Sequence, residues 1–146
     1  MIALGALAGV VLTLLALRSR FTTVTVSGRS MEPTLQHGDR LLVLRTRLRA
    51  THRGRLVVLP AAGELGTEWM VKRVVAVPGD PVPLADVPAL AAHPSPVVPD
   101  GQMVVLGDNQ VLSLDSRRVG YVPARPLLGV VVRHLPTAPP RRSAGR

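Results

Sequence analysis

The sequence predicts a mainly β domain behind one N-terminal transmembrane helix. Three observations carry this. Short Val- and Leu-rich segments recur between turns, and 14 prolines and 13 glycines in 146 residues keep every element short. Ile2 to Leu17 is an uncharged apolar run of 16 residues. No long stretch repeats apolar residues at helical spacing, so a helical bundle is excluded.

The apolar run comes first. It is shorter than the ~20 residues of a comfortable span. Arg18 and Arg20 extend it if their side chains snorkel. No basic stretch precedes it and no A-x-A site follows, so an anchor over residues 1–20 is expected rather than a cleaved leader. Phe21 to Val26 is β-branched and reads as a strand. A polar loop, Ser27-Gly28-Arg29-Ser30-Met31-Glu32-Pro33-Thr34-Leu35, follows, and Gly38-Asp39 is a turn. Arg40 to Arg45 and Leu56 to Leu59 are further strands, the second stopped by Pro60. Arg45 to Arg55 between them is basic and exposed.

Glu68 to Val77 is the strongest strand candidate, ended by Pro78-Gly79-Asp80. Side chains alternate across a strand, so Lys72, Val74 and Ala76 share one face and Arg73, Val75 and Val77 the other. Residues 81–100 hold six prolines and form an irregular insertion rather than a second domain. Gln102 to Leu106 and Leu127 to His134 complete the strands. The predicted domain covers 21–135, and 136–146 is a basic, disordered tail.

Composition narrows the chemistry. A hydrophobic content of 47% supports a core, which is aliphatic because aromatics make up 2%. The absence of cysteine excludes disulfides, thiolate zinc sites and thiol catalysis. A net charge of +9 fits a solvated basic surface, anionic lipid or nucleic acid. One Phe, one Tyr and one Trp leave no stacking platform, and no helix-turn-helix or zinc finger occurs, so nucleic acid is not an expected partner. The four histidines have no paired spacing for a metal.

Two residues stand out. Ser30 sits in a turn between Gly28 and Pro33, where serines usually make local hydrogen bonds. Lys72 is the single lysine beside 17 arginines. Arginine stays protonated, whereas a buried lysine loses its proton readily, because desolvation lowers its pKa by up to about 3–5 units. A serine hydroxyl needs such a base to become a nucleophile. A Ser–His–Asp site through His37 is the less favoured arrangement.

The chain resembles the bacterial type I signal peptidases, membrane-bound serine proteases that remove signal peptides. Residues 27–35 resemble their nucleophile box, Gly38-Asp39 the short box after it, and Lys72 to Asp80 their lysine box. Gly107 to Arg117, with Gly120 beyond, resembles the last box. Four boxes in the family's order span most of residues 24–121. The resemblance implies a coiled, mostly antiparallel β-sheet or barrel on the outer membrane surface. It implies Ser30 as nucleophile, Lys72 as general base and Ser113 as a hydrogen-bond partner that orients the Lys72 amine. Asp115 and Arg117 would form an ion pair that holds the last box. The Ser30 N–H would be one oxyanion donor. Gly28 stands where some members carry a second donor, a serine hydroxyl, so that donor is unassigned here. The implied substrates are secretory precursors cut after small residues, with Ala-type residues at the first and third positions before the cut. Membrane lipid is the other partner, and no cofactor or metal is required.

One tension accompanies this reading. Arg18 and Arg20 follow the apolar run, and the positive-inside rule would hold the domain in the cytoplasm, whereas the family's lies on the extracytoplasmic side. Alternatives are a maturation peptidase dedicated to one partner, or a non-catalytic membrane protein that binds anionic lipid or nucleic acid through its arginines.

Overall fold

In a computed structural model, residues 11–12, 17–49, 52–61 and 69–135 are described. Most of the Ile2–Leu17 run and the whole of residues 136–146 lie outside them, as do residues 62–68. Among the described residues no helix is long and apolar enough to cross a membrane.

Seven strands build one curled sheet: β1 (Phe21–Thr25), β2 (Arg40–Leu44), β3 (Leu56–Pro60), β4 (Trp69–Ala76), β5 (Gln102–Leu106), β6 (Val122–Pro123) and β7 (Gly129–Leu135). Their order is β1-β2-β7-β3-β4-β5-β6, and every pairing is antiparallel. The mainly β, mostly antiparallel expectation holds. The return of β7 between β2 and β3 joins the two halves of the chain. Gly129 permits this closure, because a Cβ there would lie 2.1 Å from the Leu44 carbonyl oxygen.

Alternation sets the faces. Leu41 and Val43 of β2 are buried, and so are Lys72, Val74 and Ala76 of β4, while Arg73 and Val75 are half-buried. Val26, Met31, Leu35, Leu41, Val43, Val58, Val71 and Val131 form one core cluster. Val57, Leu59, Val74, Val77, Met103, Val105 and Val130 form a second on the other face of the sheet. Each fully buried aliphatic side chain contributes about 1.5–3 kcal/mol, which is how an almost aromatic-free core suffices.

Three local features differ from the sequence reading. Pro60 belongs to β3, because it pairs with Trp69 at the end of the ladder where a missing N–H costs little. The last strand begins at Gly129 rather than Leu127, although the Leu128 N–H still bonds the Val58 carbonyl. A one-turn helix, α1 (Ser116–Val119), and the two-residue β6 were not foreseen. The 81–100 segment has no strand, but a 3-10 turn (Pro88–Ala92) and a single bridge between Pro81 and Val97 order it. Val87, Leu90 and Val98 bury themselves there against Ala76 and Val104.

Candidate active site

The serine loop is pinned from both sides. Met31 and Leu35 are 2% and 1% exposed and drive the turn into the first core cluster. The Leu35 N–H bonds the Met31 carbonyl at 3.0 Å, so the residue before Met31 is held at the rim. That residue is Ser30, half-buried. Its carbonyl accepts from the Asn109 N–H at 3.0 Å, which ties the loop to the segment after β5. Gly107 is needed at this junction: a Cβ on it would lie 2.6 Å from the Ser30 carbonyl oxygen and 2.1 Å from Ser113 Oγ.

Lys72 reaches the serine from mid-β4, where it stands opposite Val57. Its side chain is buried, and Nζ lies 2.9 Å from Ser30 Oγ. Burial pushes the Lys72 amine below its ordinary value near 10.5; nearby Asp115 works against this shift and the positive Arg117 adds to it. Two residues 42 positions apart thus form a contact in which a neutral amine can accept the serine proton.

Asp115 is buried, and its carboxylate meets Arg117 Nη2 at 2.6 Å and Nε at 3.1 Å. The Gly107 N–H donates to the same carboxylate at 2.8 Å, and Arg117 Nη2 also donates to the Gly107 carbonyl. Burial alone would raise the Asp115 carboxyl, but hydrogen bonds from Arg117 and the two backbone N–H groups, with the neighbouring Ser113 adding to them, hold it below the ordinary carboxylate range. Asp115 also caps α1 through the Arg117 N–H. Ser116 is buried and its hydroxyl accepts from the Val105 N–H, fastening α1 to β5.

Ser113 is buried beside this cluster. It acts on the Asp115 carboxyl, yet its Oγ has no partner at ordinary hydrogen-bond geometry, and the expected bond to Lys72 Nζ is not formed. Gly28 adopts φ +89°, a left-handed conformation that suits glycine, and a Cβ there would meet open space. Its N–H donates to His37 Nδ1 at 3.3 Å, so His37 is engaged by backbone rather than by Ser30.

The sequence reading missed a second polar link. Arg73, on the opposite side of β4 from Lys72, grips Asp108 through Nε at 2.9 Å and Nη2 at 2.6 Å, and bonds the Gly54 carbonyl through Nη1. Thr34 Oγ1 donates to Asp108 Oδ2. The Arg73 hydrogen bond holds the Asp108 carboxyl low, against some burial and with help from Thr34. Arg73 and Asp108 lie inside two of the four boxes, which was the available signal.

A groove of about 710 Å³ opens beside Ser30. Thr22 to Thr25 of β1 form one wall, Trp69 to Val71 of β4 the other, with Ser27 and Leu128 between. β1 pairs only with β2, so its outer edge is unpaired among the described strands.

Sequence comparisons agree with this architecture. The family model described as "Signal peptidase, peptidase S26" matches residues 1–88 and 83–135. A protein of Synechocystis sp. named probable signal peptidase I-2 is 38% identical over 71% of this chain, which spans 58% of that relative's length. Signal peptidase IB of Staphylococcus aureus is 31% identical, covering 75% of each chain. Signal peptidase I V of Bacillus subtilis is 28% identical over 86% of this chain and 94% of its own.

Proposed function

Because the chain belongs to the signal peptidase family of peptidase S26, a family of serine endopeptidases, we propose that it removes signal peptides from exported precursors with Ser30 as nucleophile and Lys72 as general base. The observation that carries this is the 2.9 Å contact between Lys72 Nζ and Ser30 Oγ, made by a buried lysine with a lowered pKa.

The steps follow from the chain's own groups. Neutral Lys72 takes the Ser30 proton as Oγ attacks the scissile carbonyl. The resulting ammonium then protonates the leaving amine, and an ester to Ser30 remains. Water, deprotonated by Lys72, hydrolyses that ester and regenerates the serine. The Ser30 N–H donates to no protein acceptor among the described residues, which leaves it available to the oxyanion. Asp115 and Arg117 keep the Gly107 corner in place and spend their charges on each other.

An extended precursor segment adds along the unpaired edge of β1, and backbone hydrogen bonds set its register. Small side chains before the cut are what the family likeness implies. In this reading residues 1–20 anchor the domain, and catalysis takes place on the extracytoplasmic side. The test is cleavage of a model precursor in lipid by wild type, Ser30→Ala and Lys72→Arg. Cutting after a small residue by wild type alone, with all three proteins folded, supports the proposal. Near-full activity of Lys72→Arg overturns the mechanism.

A further inference from the structure

We propose that this domain carries a binding site for one anionic phospholipid beside the catalytic groove, with which it shares Met70. Three arginines would hold the headgroup phosphate, and an adjoining apolar pocket would hold an acyl chain.

The headgroup side lies between the segment after β2 and the β6–β7 connection. Arg47, Arg49 and Arg125 line a cleft of about 430 Å³, and Arg47 and Arg125 also line an adjoining one of about 480 Å³. All three arginines are exposed, and none forms a salt bridge with a carboxylate among the described residues. Leu48 turns inward and packs on the second core cluster, which fixes the segment and sends Arg47 and Arg49 outward. Three like charges held around one cleft repel one another, and an anion relieves that repulsion.

Arg125 and Pro126 are shared with a third cavity of about 320 Å³. Its walls include Leu59, Met70, Val105, Val119, Tyr121 and Val122. Asp115 also borders it, but that carboxylate is fully buried and neutralised by Arg117, so it does not repel an anion. An apolar pocket continuous with a cationic cleft matches an amphiphile rather than a free anion. At the start of the arginine segment, the Arg45 backbone N–H donates to the Arg20 carbonyl at 2.7 Å. The cationic segment therefore leaves the sheet beside the point where the apolar N-terminal run joins β1. That favours a membrane lipid as the source of the phosphate.

The experiment uses the full chain in nonionic detergent and does not depend on proteolysis. Dioctanoyl-phosphatidylglycerol, dioctanoyl-phosphatidylcholine and inorganic phosphate are titrated, with retained lipid read by native mass spectrometry and thermal stability alongside. Saturable, selective binding of phosphatidylglycerol is expected. The triple variant Arg47→Gln/Arg49→Gln/Arg125→Gln should weaken it by ten- to a hundredfold. Val119→Phe, which fills the pocket from a half-exposed position, should weaken it about tenfold; Leu114→Phe serves if that variant melts without lipid. A control triple, Arg40→Gln/Arg55→Gln/Arg133→Gln, removes the same charge elsewhere and should bind as wild type. Equal binding of phosphatidylcholine, equal protection by inorganic phosphate, no lipid binding, or equal loss in the control triple overturns the site.

Discussion

Lys72 and Arg73 are neighbours on β4, and the fold treats their charges in opposite ways. Lys72 points into the protein, is buried, and touches a hydroxyl. Its amine is pushed down by burial. Arg73 points to the other face, keeps partial exposure and grips Asp108 with two nitrogens, and that hydrogen bond pushes its pKa up. One face of the strand withholds a carboxylate from a cation and the other supplies one. The proposed general base depends on that withholding: Asp115 is close enough to act on Lys72, but its oxygens are taken by Arg117 and the Gly107 N–H.

The sharpest way to break the comparison is to make the two faces chemically alike. Lys72→Arg replaces an amine that can lose its proton with a guanidinium that stays protonated, so kcat/KM for precursor cleavage should fall about a thousandfold or more. Retention of a tenth of the activity would mean that another group takes the serine proton. The same reasoning sets a pH dependence. In the proposed mechanism Lys72 must be neutral to act, so kcat/KM should rise with pH through a pKa below 10.5 and level off above it. A flat profile across that range, with chemistry rate-limiting, would contradict the assignment.

Next in size is the pair that keeps Asp115 occupied. Asp115→Asn removes one partner of a pair whose carboxylate is fully buried, which costs about 3 kcal/mol in urea unfolding. Because the folded Asp115 carboxyl is held below its ordinary 3.8, its contribution is present above that value and is lost as pH falls through the folded pKa. Acid unfolding of wild type should therefore begin below about pH 4, and the variant should lack that component. An unchanged urea midpoint would show that the pair does not hold the Gly107 corner.

What the sequence made legible follows from range. Alternation along β4 is local, so the inward direction of Lys72 and the outward direction of Arg73 could be read before any fold was known. The Ser30 turn was legible for the same reason. The Arg73–Asp108–Thr34 link was not, because residues 34, 73 and 108 meet only after β4 pairs with β5 and the serine loop folds back. The Ser113 hydroxyl departs from the family-based expectation by lying against the Gly107 corner instead of bonding Lys72. The prolines of 81–100 signalled irregular backbone, but burial of Val87, Leu90 and Val98 depends on where β4 and β5 end. Helix α1 is a single turn, too short for periodicity to reveal, and its one local signal was Asp115 as an N-cap.

Arg73→Gln tests the other face of β4. It removes charge-assisted bonds at a partly exposed site, so a stability cost of about 1 kcal/mol is expected after solvent screening. Its larger consequence is for the serine loop, which Thr34 attaches to Asp108 and Asn109 attaches through the Ser30 carbonyl. We expect kcat to fall several-fold with KM nearly unchanged and with the same pH limb, because Lys72 is untouched. A shifted limb would mean that the two faces of the strand are electrostatically coupled.

The smallest effect belongs to Arg29, which precedes the proposed nucleophile Ser30 and pairs with Glu32 through Nε at 3.0 Å. By sequence it stands as close to Ser30 as any charge in the chain. Its side chain is 67% exposed, however, and its pair spans three residues of one loop. Water screens such a pair, and holding it costs side-chain entropy that offsets the attraction. Met31 and Leu35 already fix the turn by burial, so the pair has little left to order. Arg29→Ala should therefore leave the melting midpoint and kcat unchanged, measured beside Arg73→Gln under the same conditions. A drop in kcat as large as that of Arg73→Gln would mean that proximity to the nucleophile, rather than burial and partnering, decides which cations matter here.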